Sequence, residues 1–91
     1  MMTAELELYW DAYDRADYKI ALRIIRPLAE RGEAVYQCNL GSLYTNGAGV
    51  RQDYTKAAKW FRKGAKQGYA ASQCNLAFMY RYGLDSVVTR Y

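Results

Sequence analysis

Apolar and polar residues alternate along this chain with the period of an α-helix. The clearest example is the stretch 56–66, where small and aromatic residues fall on one side of a helical wheel. These residues are Ala57, Trp60, Phe61, Gly64 and Ala65. The other side of the wheel is basic, with Lys56, Lys59, Arg62, Lys63 and Lys66. We therefore predict a helix that buries one face and exposes the other to water.

Residues 33–46 show a second helical pattern. Its apolar stripe consists of Tyr36, Leu40, Leu43 and Tyr44. A different face of the same helix carries Cys38, Asn39, Ser42 and Thr45. This second face is free of large apolar side chains, and it is a candidate for contact with a partner.

The whole pattern repeats at a spacing of 36 residues in two separate registers. Residues 34–47 align with 70–83, and residues 17–32 align with 53–68. The identical pairs include Asp17/Asp53, Tyr18/Tyr54, Gly32/Gly68, Gln37/Gln73, Cys38/Cys74, Asn39/Asn75, Leu40/Leu76, Tyr44/Tyr80 and Gly47/Gly83. A repeat of this length is typical of solenoids, whose units bury their apolar faces only against neighbouring units.

Helix boundaries follow from capping signals. Asp17 and Asp53 stand where an N-cap is expected, and Gly32 and Gly68 stand where a helix ends. The predicted helices cover residues 3–14, 17–31, 33–46, 53–67 and 69–82. The prediction is one all-α domain over residues 1–91, a superhelical solenoid of five helices in about two and a half repeats. The repeats cover residues 1–32, 33–68 and, in part, 69–91.

Composition narrows the class of protein. A chain of 91 residues has room for one core, and no stretch reaches the ~18 apolar residues of a membrane span. The first residues lack the basic and apolar regions of a secretion signal. We therefore expect a cytoplasmic protein that does not enter a membrane.

The sequence offers few parts for catalysis or metal binding. It has no histidine and no CxxC motif, which removes the usual zinc sites and a Cys/His dyad. Cys38 and Cys74 lie one repeat apart, and stacked helices are about 8–10 Å apart, so we expect free thiols. We predict no catalytic residue, no metal and no cofactor.

The stretch 34–68 resembles the Sel-one-like repeat (SLR) family, a relative of the tetratricopeptide repeat. The resemblance rests on Ala34, Leu40, Gly41, Tyr44, Gly47, Gly49, Val50, Asp53, Tyr54, Ala57, Trp60, Ala65 and Gly68. It implies an α/α solenoid that acts as a protein-interaction scaffold. Some relatives carry a disulfide between the two helices of each repeat, for which Cys38 and Cys74 have no partner. The β-lactam hydrolysis attributed to those relatives is therefore the least supported alternative.

The concave surface of such a solenoid is the candidate binding site for a peptide or protein. The candidate residues are Leu6, Tyr9, Trp10, Cys38, Asn39, Ser42, Asn75, Phe78 and Arg81. Asn39 and Asn75 could bond the backbone of a peptide, and Tyr9, Trp10 and Phe78 could serve as apolar anchors. The alternative for the asparagines is a hydrogen bond within the solenoid.

Two further surfaces have possible partners. The basic stripe of Lys56, Lys59, Arg62, Lys63 and Lys66, with a net charge of +4, could attract nucleic acid such as RNA. A solvated outer face is the simpler interpretation, and we prefer it. The helix over 69–82 carries Leu76, Met79 and Tyr80 with no second helix to cover them. This predicts a homodimer through that end, by direct packing or by exchange of residues 87–91, unless the chain belongs to a longer array.

Overall fold

The computed structural model of the protein describes residues 4–84, and this range is entirely helical apart from its turns. The helices are α1 (Ala4–Asp14), α2 (Tyr18–Glu30), α3 (Ala34–Asn46), α4 (Tyr54–Lys66) and α5 (Ala70–Tyr82). Each lies within one or two residues of its predicted position. The prediction of an all-α fold with five helices is confirmed for this part of the chain.

Successive helices pack against each other, α1 on α2, α2 on α3, α3 on α4 and α4 on α5. Two sets of contacts also connect the segments around α2 and α4. The Gln67 side chain after α4 donates a hydrogen bond of 2.8 Å to the Gly32 carbonyl after α2. Arg26 of α2 donates to the Tyr44 hydroxyl of α3, and Lys56 of α4 lies over the ring of the same tyrosine.

The central helix α3 has neighbours on two sides, and it supplies much of the core. Its buried residues are Tyr36, Gln37, Cys38, Leu40, Gly41, Leu43 and Tyr44. They pack with Tyr9, Ile25, Phe61 and Met79 from the other four helices. Burying each large apolar side chain contributes about 1.5–3 kcal/mol, so α3 links the repeats into one unit.

Gly41 and Gly49 permit close contacts between elements. A Cβ atom on Gly41 would lie 2.6 Å from Cε1 of Phe61, so the lack of a side chain lets α3 and α4 approach closely. Gly49, with a φ of +73°, lies in the turn between α3 and α4. A Cβ there would lie 2.6 Å from the Tyr18 carbonyl oxygen. The turn is therefore packed directly on the first residue of α2.

The two predicted N-caps differ. The Asp53 carboxylate accepts a hydrogen bond of 3.0 Å from the Lys56 amide, as an N-cap does. Asp17 also occupies the predicted N-cap position, before α2, but its side chain makes no such bond. The link before α2 is short and passes through Ala16 at a φ of +59°. It leaves Asp17 at a ψ of 68° instead of the extended conformation that directs a cap side chain to the helix amides.

Glutamine side chains tie neighbouring repeats together. Gln37 donates a hydrogen bond of 3.2 Å to the Ala29 carbonyl, and Gln73 makes the same 3.2 Å bond to Ala65. The two bonds lie 36 residues apart, so the geometric repeat matches the repeat in the sequence. This role was not predicted, although the Gln37/Gln73 pair was visible in the alignment.

The exposed end at α5 is smaller than expected. Met79 is buried and Leu76 is half-buried, whereas Tyr80 is 44% exposed. The prediction that Met79 is uncovered was wrong, because Met79, like its equivalent Leu43, faces the preceding repeat. Tyr80, the equivalent of Tyr44, lies on a different face of α5, which is exposed. The predicted exchange of residues 87–91 lies outside the described residues.

Candidate functional site

The predicted partner-binding residues lie on α1, α3 and α5, but they do not all reach the surface. Trp10, Phe78 and Arg81 are exposed, and four others are half-buried: Leu6, Asn39, Ser42 and Asn75. Tyr9 and Cys38 are buried. The nine residues therefore divide into seven with some access to solvent and two in the core.

Tyr9 belongs to the core and is not a peptide anchor. Only 1% of its surface is exposed, and it contacts Trp10 and Tyr13 through ring centroids 5.0 and 6.0 Å away. Burial raises the pKa of its hydroxyl above the ordinary range, and Tyr13 and Cys38 add smaller effects. The helix α1 covers one end of the solenoid, so its buried face points towards the next repeat. Tyr9 and Ala12 are three residues apart, which places both on one face of α1, and both are buried. This spacing is the sequence signal that could have indicated the burial of Tyr9.

Cys38 is also removed from the candidate surface. It is 5% exposed, and the Asn75 amide group donates to its sulfur at 3.6 Å. Because Asn75 of α5 contacts its sulfur, Cys38 itself lies inside the molecule. Cys74, one repeat later, is exposed. Both cysteines are free, as expected.

A cleft between α3 and α5 brings three of the predicted residues together: Ser42, Asn75 and Phe78. This α3–α5 cleft has a volume of about 290 Å³. Its other lining residues are Thr45, Asn46, Phe61, Met79 and Leu84. The helix α1 contributes no lining residue, so the structure does not bring Leu6 and Trp10 into this cleft.

The α3–α5 cleft combines an apolar interior with a polar edge. Phe61 and Met79 are buried and form apolar lining, while Phe78 is 54% exposed. The Asn75 side-chain nitrogen donates to the Cys38 sulfur. Within residues 4–84, the Asn75 side-chain oxygen accepts no hydrogen bond. Ser42 and Asn46 supply further polar groups. The cleft can therefore take an apolar side chain and bond the backbone that carries it.

The edge of the cleft is held in place by local hydrogen bonds. The Thr45 hydroxyl donates to the Gly41 carbonyl at 3.0 Å, and the Gln52 amide group donates to the Thr45 carbonyl at 2.9 Å. The second bond ties the end of α3 to the turn that follows it. Thr45 belongs to the candidate face that the sequence predicted for residues 33–46. Asn46 and Leu84 were missed as site residues because they lie at helix ends, where periodicity says little about position.

Asn39 is half-buried, and its side-chain nitrogen is buried without a hydrogen-bond partner within residues 4–84. A partner in the cleft cannot reach an atom this deeply buried. Asn39 is therefore separate from its repeat equivalent Asn75, which lines the cleft and bonds Cys38.

The remaining exposed candidates, Trp10 and Arg81, do not line the α3–α5 cleft. Trp10 makes an edge contact with Tyr13 at 5.4 Å, within a cluster of aromatic rings on α1 and α2. Arg81 lies with Cys74, Ala77, Phe78 and Tyr82 around a shallow depression of about 300 Å³ on α5. Phe78 lines both this depression and the cleft, and its ring centroid is 4.5 Å from that of Tyr82.

The predicted basic stripe lies on α4, where four lysines are exposed and Arg62 is half-buried. In the part of the chain that the structure describes, none of these five side chains pairs with a carboxylate. Lys59 and Lys63 lie 5.5 and 5.1 Å from the centre of the Trp60 ring. Such cation–π contacts contribute about 0.5–1 kcal/mol at exposed sites and hold the ammonium groups near the ring.

Residues 4–84 contain neither a cluster of metal-ligating side chains nor a membrane-spanning helix. No group of three or more Cys, Asp or Glu side chains in this range could hold a metal ion. No helix in the range is long and apolar enough to span a bilayer.

Comparison with known proteins identifies the repeat. The model of the Sel1 repeat matches residues 34–69 and again residues 70–90, which together are more than half of the chain. No match was found among curated proteins. The two matched segments begin at the start of α3 and of α5, so they coincide with the units seen in the structure. The chain therefore belongs to the Sel1 repeat family, as its sequence resemblance indicated.

Proposed function

We propose that the protein is a non-catalytic scaffold that binds a peptide or protein partner in the α3–α5 cleft. Sel1 repeats generally act in protein–protein interaction, and this supports the class of function. The observation that carries the proposal is the cleft itself, where Ser42, Asn75 and Phe78 surround an apolar interior.

The size of the cleft favours one anchoring side chain of a peptide. Pockets for drug-sized ligands occupy about 300–1,000 Å³, and the α3–α5 cleft is at the low end with about 290 Å³. An apolar side chain would contact Phe61, Phe78 and Met79. The peptide backbone would accept or donate hydrogen bonds at Ser42 and Asn75, which fixes its direction.

Two exposed side chains extend the proposed contact beyond the cleft. Trp10 on α1 offers an aromatic surface that is 37% exposed, and aromatic residues often contribute most at interfaces. Arg81 on α5 offers a charge for an acidic group of the same partner. Neither residue lines the cleft, so both are proposed as secondary contacts.

The test is affinity capture from a lysate, with and without nuclease, using matched variants. Phe78→Ala removes an aromatic side chain that is 54% exposed in the cleft. Leu8→Ala removes an apolar side chain that is 59% exposed and lines none of the clefts. A protein that resists nuclease, is lost with Phe78→Ala and is kept with Leu8→Ala would support the proposal. Equal capture by both variants would exclude the cleft as the site.

Nucleic-acid binding by the stripe on α4 is the second candidate. Its support is that Lys56, Lys59, Arg62, Lys63 and Lys66 have no carboxylate partner within residues 4–84. Such binding would be electrostatic and would weaken steeply with salt. Capture that disappears with nuclease, and with Lys59→Gln/Lys63→Gln but not with Phe78→Ala, would favour this candidate.

Self-association through α5 is a further proposal. Cys74, Ala77 and Tyr80 occupy the positions at which Cys38, Gly41 and Tyr44 are buried by the next helices. A second copy could cover this face. The open face is the support for a homodimer.

A further inference from the structure

A second cleft lies along α2 and contains a group of cations outside the stripe on α4. This α2 cleft has a volume of about 420 Å³. Its lining residues are Lys19, Leu22, Arg23, Arg26, Pro27, Glu30 and Gly49. None of them lines the α3–α5 cleft, so the two clefts are separate sites.

The wall of the α2 cleft opposite the helix is the turn between α3 and α4. Gly49 packs so closely on the Tyr18 carbonyl that any larger residue would clash. The turn is therefore held against the start of α2, and the cleft is a built feature of the fold. Its shape depends on residues from two different repeats.

Three cations share one side of α2. Lys19, Arg23 and Arg26 follow each other at spacings of four and three residues, which places them on neighbouring turns of the same face. None pairs with a carboxylate within residues 4–84. Like charges at this spacing repel each other. A bound anion would relieve that repulsion.

One of the three cations is held in position. The Arg26 side chain donates a hydrogen bond of 3.1 Å to the Tyr44 hydroxyl. On the same ring, the Lys56 ammonium group lies 5.7 Å from the centroid. Arg26 is therefore oriented before any ligand arrives, and Lys56 adds a fourth positive charge near the cleft.

We propose that the α2 cleft binds the carboxylate or phosphate group of an acidic segment of a protein. Guanidinium groups bind both of these oxyanions through two parallel hydrogen bonds. Leu22 and Pro27 offer apolar surface to the aliphatic part of the side chain that carries the anion. The proposal concerns a site additional to the α3–α5 cleft and does not depend on it.

The cleft suits a short acidic segment better than a nucleic acid. Glu30 stands at the same surface and would repel a continuous chain of phosphates. The three cations also line one compact cleft. A nucleic-acid backbone is bound instead by charges that are spread along its length. A single carboxylate or phosphate next to neutral residues avoids Glu30.

The experiment measures peptide binding by fluorescence anisotropy at about 0.15 M ionic strength. The probes are labelled peptides of one length, with one glutamate, one phosphoserine or one glutamine in the centre and neutral residues on either side. The test variant is Lys19→Gln/Arg23→Gln, which keeps the bond from Arg26 to Tyr44. The matched control is Lys59→Gln/Lys63→Gln, which removes the same charge from α4. Circular dichroism checks that both variants remain folded.

We expect the glutamate or phosphoserine peptide to bind and the glutamine peptide not to bind. The test variant should weaken this binding about tenfold, and the control less than about twofold, because contacts to the anion are lost only in the first. The stronger of the two acidic peptides identifies the source of the oxyanion. Equal weakening by both variants, no binding of either acidic peptide, or tighter binding of a single-stranded RNA of equal length would overturn the proposal.

Discussion

At the scale of single residues, Gly41 is a point where two neighbouring helices approach closely. The ring of Phe61 on α4 occupies the space that a side chain on α3 would need. The equivalent position in the third repeat is Ala77, which is exposed and has no ring above it in the described range. This position therefore requires glycine in the second repeat, where Phe61 covers it, and accepts alanine in the third repeat, where it is exposed.

Gly41→Ala should lower the free energy of unfolding by about 1–2 kcal/mol. Overpacking against Phe61 costs about 1–3 kcal/mol, and the better helix propensity of alanine returns up to about 1 kcal/mol. Urea unfolding followed by circular dichroism measures the change. In a Phe61→Leu background the same substitution should cost less, since the ring atoms in contact are gone. A cost that is equal in both backgrounds would contradict the proposed contact.

The buried hydroxyl of Tyr9 gives the stability a pH dependence. Its pKa is raised in the folded protein, mainly by burial, so the unfolded chain loses this proton first as the pH rises. Above about pH 10 the free energy of unfolding should therefore fall, by at most about 1.4 kcal/mol per pH unit from this group.

Tyr9→Phe removes that contribution, and Tyr82→Phe, at a ring that is 59% exposed, is the matched control. Urea unfolding at pH 8 and at pH 11 should show a smaller loss of stability for Tyr9→Phe than for Tyr82→Phe. The same loss in both variants would mean that Tyr9 ionises normally in the folded protein.

At the scale of elements, the two equivalent helix starts are an internal comparison. Asp53→Ala removes the hydrogen bond to the Lys56 amide and should cost about 1 kcal/mol, within the usual range for an N-cap. Asp17→Ala removes no cap bond and should cost clearly less. Chemical denaturation of the two variants gives both values. A larger cost at Asp17 would show that α2 is capped in solution in the same way as α4.

The positions of the elements could be predicted from the sequence, because periodicity and the 36-residue repeat act together. Every helix of residues 4–84 was predicted in this way, and so was the division of α4 into an apolar and a basic face. The buried faces of the other helices were predicted less well. The burial of Tyr9, Cys38 and Met79 depends on neighbours that a single helix pattern does not show, since α3 is covered on two sides.

The candidate site was predicted only in part for the same reason. Ser42, Asn75 and Phe78 were found because they recur on one helix face. Thr45, Asn46 and Leu84 join them through helix ends and a turn. Likewise, the spacing of Lys19, Arg23 and Arg26 is visible in the sequence, but the turn at Gly49 that makes a cleft beside them is visible only in the structure.

At the scale of the whole molecule, the open face of α5 is the feature that bears on assembly. Tyr80 is 44% exposed where Tyr44 is 8% exposed, so within residues 4–84 less of the molecule covers this side. At the other end, α1 buries Tyr9 and exposes Leu8 and Trp10. We propose self-association for the end at α5.

Tyr80→Asp should weaken self-association by placing a charge in the proposed contact between copies. Sedimentation at rising concentration should show a dimer for the original chain and a monomer for the variant. Leu8→Asp, at the other end, is the control and should leave the dimer intact. A monomer at all concentrations for the original chain would contradict the proposal.

The central claim is that a protein partner occupies the α3–α5 cleft, and chemical-shift mapping tests it most directly. The ¹⁵N-labelled chain is titrated with the captured partner. We expect the largest chemical-shift changes at Ser42, Asn46, Asn75 and Phe78. The affinity for the partner should be at least about tenfold weaker for Phe78→Ala and unchanged for Leu8→Ala. Changes confined to the basic stripe on α4, with Phe78→Ala binding as well as the original chain, would contradict it.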